Sequence, residues 1–149
     1  GKNGLEQMIE VAIEKNTQVL GLERIEGEDI SKFGVVDPIE TGKICTLKGI
    51  VEKPSFSEAP SELAVVGRYI FSGSIFNHIN NDAPGKNGEI QITDAILSDI
   101  ANFVGYEFDG KRFDCGSKIG YLKANVEFGL ADGELGPALA EYLKGKKDL

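Results

Sequence analysis

The chain has 149 residues, with 24 acidic against 16 basic side chains and a formal net charge of -8. That length suits one domain and the 41% hydrophobic content supports a core, while the acidic balance excludes the clustered cations of a nucleic-acid binder. One histidine and two distant cysteines exclude a multi-histidine metal site, a zinc ribbon and a disulfide scaffold. Apolar runs stay short of the ~18–20 residues that cross a membrane, and residues 1–10 lack the basic and apolar regions of a signal peptide. The expected setting is a reducing cytoplasm, with Cys45 and Cys115 as free thiols.

Leu5, Met8, Ile9, Ala12 and Ile13 recur at helical spacing and predict an opening helix with one apolar stripe. Residues 17–24 (TQVLGLER) follow as a short strand, and residues 27–32 as a polar loop. Residues 33–37 read as a strand stopped by Pro38. A turn at Glu40, Thr41 and Gly42 leads into a strand over residues 44–51. Residues 55–61 connect to ELAVVGRYIF (62–71), an almost continuous apolar run that predicts a strand buried on both faces. A short helix over residues 73–79 precedes the loop NNDAPGKNG (80–88). Ile92, Ala95, Ile96, Ile100 and Phe103 predict a helix over residues 92–103. Residues 105–113 read as a strand pair or one bent strand. Ser117 is placed to cap a helix over residues 118–128, and a last helix over residues 135–143 precedes a basic end. Strands that adjoin without an intervening helix predict a mixed α/β sheet rather than a regular βα repeat.

Three segments carry residues suited to chemistry. Glu52-Lys53-Pro54 closes a strand. Its lysine can neutralise a phosphate and its carboxylate can accept hydrogen bonds from sugar hydroxyls, whereas a solvated turn is the plain alternative. Two adjacent strand residues point to opposite sides unless the backbone bends. Asp114 lies between a strand reading and the Gly116-Ser117 helix opening, suited either to Mg²⁺ or to the helix N-terminus. In GEIQITD (88–94), Thr93 and Asp94 read as capping residues, and Glu89 as a sugar ligand or a loop fastener. Gly34 and Gly67 interrupt apolar strands, which marks either close approach of a ligand or a bulge. His78 reads as a structural or surface histidine rather than a catalytic one, and Cys115 as a small buried residue.

Taken together and in order, GVVD (34–37), GIVEKP (49–54), VVGRYIF (65–71), GEIQITDAI (88–96) and FDCGSKIGYLKANVEFGL (113–130) resemble the bacterial UTP–glucose-1-phosphate uridylyltransferases, the UDP-glucose pyrophosphorylases. The resemblance runs from about Leu5 to the end. It implies a Rossmann-like mixed α/β sheet of the sugar-nucleotidyltransferase type, joining glucose-1-phosphate to UTP to give UDP-glucose and pyrophosphate with Mg²⁺. By the resemblance, Glu52 binds glucose hydroxyls, Lys53 the phosphate, Gly34 and Gly67 line the sugar pocket, Glu89 borders it, and Asp114 holds Mg²⁺ with a second carboxylate. It also implies a cytoplasmic homo-oligomer that uses neither nucleic acid nor membrane.

The family's opening GxGTRxLPxTK-type segment has no counterpart here. The chain therefore resembles the C-terminal, sugar-binding half of the domain. It is expected to form a single region over residues 1–149, with 129–149 a helical tail, and to be inactive alone. A glucose-1-phosphate thymidylyltransferase-like enzyme, or a non-catalytic sugar-phosphate-binding or regulatory paralogue, is the alternative. A half-domain should also leave a sheet edge or face uncovered, which invites self-association.

Overall fold

The computed structural model describes residues 1–79 and 90–146. They fall into two compact units, Gly1–Gly110 and Lys111–Leu149.

The first unit opens with α1 (Gly4–Lys15). Asn3 caps it: the Asn3 side chain accepts from the Glu6 N–H at 3.0 Å, and the Glu6 carboxylate accepts from the Asn3 N–H at 2.8 Å. Five strands follow: β1 (Gln18–Arg24), β2 (Gly34–Pro38), β3 (Ile44–Glu52), β4 (Leu63–Ile70) and β5 (Phe103–Glu107), with α2 (Ile92–Ser98) before β5. The expected mixed sheet is present and closes on itself in the order β1-β4-β2-β3-β5. The closing pair, β1 with β5, is parallel, and the other four pairs are antiparallel. Closure leaves the described strands without the open edge expected from the sequence; exposed apolar helix faces remain instead.

The strand buried on both faces is β1, not β4. Leu20 and Leu22 join Val36, Cys45, Leu47 and Phe103 in the main core, while Val19 packs with Met8, Val11 and Tyr106 beneath α1. In β4 only Leu63 and Ala64 are buried, because a bulge turns the following residues outward. β3 alternates buried Cys45 and Leu47 with exposed Thr46 and Lys48, the period of a one-sided strand. Burial raises the Cys45 thiol above its ordinary value, and the charge of Glu40 adds to this.

The helix expected over 92–103 ends at Ser98. The Asp99 carboxylate accepts from Gln18 Nε2 at 2.8 Å and from Asn102 Nδ2 at 2.6 Å, which turns the chain through a 3-10 segment, Ile100–Asn102, into β5. Phe103 thereby starts a strand and enters the core. The strand expected as far as residue 113 stops at Glu107. Pro38 closes β2 from inside the strand, and the loops expected near residues 27–32 and 55–61 carry 3-10 turns.

The second unit holds α3 (Lys118–Ala131) and α4 (Gly136–Lys144). Ser117 caps α3 as expected, its Oγ accepting from the Gly120 N–H at 3.1 Å.

Candidate functional site

Glu52 ends β3 opposite Gly34, the first residue of β2. Lys53 then takes a φ of 46°, a left-handed conformation unusual for a lysine, while its N–H still donates to the Phe33 carbonyl at 3.0 Å. This bend removes the alternation of a straight strand. It brings Lys53 Nζ to 4.0 Å from Glu52 Oε1, so acid and base share one rim. Strain of this kind, in a residue beside a carboxylate, is common where chemistry is positioned.

The two glycines act differently. A Cβ on Gly34 would lie 3.0 Å from Glu52 Oε2, so the missing side chain makes room for the carboxylate. Gly67 has a φ of 69°, and a Cβ there would meet nothing within 4 Å. It sits in the bulge of β4, where Leu20 pairs with Tyr69 but Leu22 with Val65. The bulge explains Gly67, and close approach within the fold explains Gly34.

Gly34, Glu52 and Gly67 line one cleft of about 290 Å³. Its wall includes Tyr69, Gln91 and Thr93, none of which stood out in the sequence as a sugar-site residue. Tyr69 stacks on Phe71 with ring centroids 5.1 Å apart, and its hydroxyl is pushed up by burial and then by the negative charge of Glu52. The nearly continuous apolar run of VVGRYIF hid this tyrosine, which the β4 bulge turns to the cleft. Thr93 and Asp94 do not cap α2: Gln91 is the N-cap residue, without a side-chain cap bond. The cleft thus offers the Glu52 carboxylate, the Tyr69 and Thr93 hydroxyls, the Lys32 side chain and backbone at two glycines, while Lys53 stands outside its lining, 4.0 Å from Glu52 Oε1. That set suits a ligand with several hydroxyls and an anionic group.

Asp114 belongs to the second unit. Its Oδ1 accepts from the Gly116 N–H at 3.0 Å and its carbonyl from Ser117 Oγ at 3.1 Å, so it fastens the turn ahead of α3 while Ser117 does the capping. The carboxylate is exposed. Among the described residues no three His, Cys, Asp or Glu side chains cluster as a metal site. Mg²⁺ is often held by one or two carboxylates plus phosphate oxygens, and an exposed Asp114 fits that demand. Cys115 is exposed in the same turn rather than buried, since Asp114, Gly116 and Ser117 hold the turn at the surface. Glu89 and the loop 80–88 lie outside the described residues.

His78 is structural, as expected. Its Nδ1 is 3.0 Å from Ser98 Oγ and its Nε2 3.6 Å from Asp99 Oδ1. The fold therefore gathers Ser, His and Asp, a grouping that linear spacing does not reveal. Ser98 nevertheless donates to the Ala95 carbonyl, and Asp99 is taken up by Asn102 and Gln18, so the group fastens α2 to β1. No described helix is long and apolar enough to cross a membrane.

The motifs and the closed mixed sheet place the chain in a class: it belongs to the nucleotidyl transferase family, whose profile matches residues 1–129. Within that class it is similar to UTP–glucose-1-phosphate uridylyltransferases. The Bacillus subtilis enzyme of that name is 36% identical over 145 residues, which are 95% of this chain and 50% of the relative. A putative one from Methanocaldococcus jannaschii is 42% identical over 146 residues, 96% of this chain and 50% of the relative. Among solved structures, a UTP-bound UGPase from Acinetobacter baumannii superposes with a TM-score of 0.83 at 34% identity, over 95% of this chain and 50% of that one. A UDP-glucose pyrophosphorylase complexed with UDP-glucose gives 0.75 at 38% identity, over 84% and 49%. The chain thus spans about half the length of the curated relatives it matches.

Proposed function

We propose that this chain is the C-terminal half of a UTP–glucose-1-phosphate uridylyltransferase and supplies the glucose-phosphate side of its site. The observation that carries the proposal is the convergence of Gly34, Glu52 and Gly67 on one cleft, with Lys53 Nζ 4.0 Å from Glu52 Oε1. In that role Glu52 accepts hydrogen bonds from glucose hydroxyls, which fixes the sugar's orientation. Lys53 holds the sugar phosphate so that its oxygen faces the α-phosphorus of UTP in line. The backbone at Gly34 and Gly67 lines the sugar face. Asp114 would hold Mg²⁺, which when bound neutralises charge on the phosphates during transfer.

Resemblance to the relatives supports the uridylyl assignment. A putative glucose-1-phosphate thymidylyltransferase from Bacillus anthracis, at 24% identity and a TM-score of 0.63, shares the fold. A cytoplasmic setting and homo-oligomeric assembly belong to the same proposal. The test is pyrophosphate release from UTP, glucose-1-phosphate and Mg²⁺. The isolated chain is expected to release none, and to release it once the half found in the relatives beyond the matched span is supplied. Turnover by the isolated chain overturns the half-site assignment.

A further inference from the structure

The apolar stripe of α1 is wider than the fold uses. At ~100° per residue, Val11, Met8, Ala12, Leu5, Ile9 and Ile13 span an arc of about 200°, roughly twice the stripe a surface helix turns to its core. Met8 and Val11 pack on β1 and β5 at 1% and 7% exposure. Leu5, Ile9 and Ile13 stay exposed at 54%, 41% and 75%, one above another at i, i+4 and i+8. Past the row's end, Ala12 and Asn16 border a cleft of about 410 Å³ whose wall includes Gln18, Ser72, Ser74 and Asn102. An apolar row with a polar margin has the anatomy of a protein interface.

We propose that the Leu5–Ile9–Ile13 row and this cleft dock the complementary half of the nucleotidyl transferase domain, the stretch that the relatives carry outside the matched span. The relatives have as much chain again as this one, since the match covers 50% of them. A half-domain of that size is enough to cover the row. This inference rests on the half-site assignment above and names the surface through which it operates.

The test co-expresses this chain with the unmatched half of the Bacillus subtilis relative. Capture of a tag on this chain is expected to bring the partner half down in soluble form. Ile9→Glu/Ile13→Glu is expected to lower that recovery about tenfold or more, because two of the row's three apolar contacts are lost. Ile39→Glu, on an exposed residue elsewhere, leaves it unchanged. Circular dichroism confirms that the double variant is folded, as its positions are exposed. Equal recovery with the double variant overturns the docking surface, as does a partner half left insoluble or unbound beside the wild-type chain. A dimer of the isolated chain that the double variant dissolves assigns the row to a second copy instead, which also overturns it. Glucose-1-phosphate binding by the isolated chain is read separately: binding without docking spares the half-site assignment, and docking without binding spares only the surface.

Discussion

Replacing Gly34 with alanine separates the cleft's geometry from the fold's stability. The new Cβ would lie 3.0 Å from Glu52 Oε2 and 3.4 Å from Ile50 Cγ2, so the carboxylate has to give way by a few tenths of an ångström. It can do so cheaply, because the Glu52 side chain is 52% exposed and Gly34 has no positive φ to defend. The expected loss of stability is therefore under ~1 kcal/mol. The ligand loses more, since a charge-assisted hydrogen bond contributes about 1.5–3 kcal/mol. Affinity for glucose-1-phosphate should fall about 10–100-fold. Gly67→Ala should behave differently: its Cβ meets nothing, but the left-handed backbone costs ~1–2 kcal/mol of stability. Urea unfolding and isothermal calorimetry on both variants make the comparison. Gly34→Ala binding as tightly as wild type, or unfolding as easily as Gly67→Ala, refutes the assigned roles.

Lys53→Gly relieves a left-handed lysine, so it should raise stability by roughly 0.5–1 kcal/mol in urea while weakening sugar-phosphate binding about tenfold or more by calorimetry. Asp114→Asn keeps an oxygen for the Gly116 N–H, so circular dichroism should be unchanged while Mg²⁺-dependent ligand binding is lost. Asp99 is held below its ordinary 3.8 by Asn102, then by Gln18 and the nearby His78, against a desolvation that opposes them. Its stabilisation is complete above 3.8 and is lost as pH falls through the lower folded value. Urea midpoints taken downward from about pH 4 should drop less steeply in Asp99→Asn than in the wild-type chain.

The strands were legible wherever apolar patterning was local, as in the alternation of Cys45 and Leu47 along β3. The cap at Ser117 was legible for the same reason, since it depends on residues three apart. Long-range forces were not. The end of α2 is set by Gln18, which is 81 positions from its partner Asp99. The outward turn of β4 depends on a bulge against β1 that composition does not reveal. Glu52, Lys53, Gly34 and Gly67 could be named as candidates from residue types and resemblance. Their meeting could not, because it rests on the φ of Lys53 and the pairing of Gly34 with Glu52. Tyr69 stayed hidden behind the same bulge, and Cys115 read as buried because cysteines generally are.

The most direct measurement is calorimetric titration of glucose-1-phosphate, UDP-glucose and UTP into the isolated chain, alongside Glu52→Gln and Lys53→Ala. A glucose-phosphate half-site requires that both sugar phosphates bind, that UTP alone gives no heat, and that each substitution weakens sugar-phosphate binding about tenfold or more. Absence of sugar-phosphate binding, or binding that neither substitution alters, would contradict it.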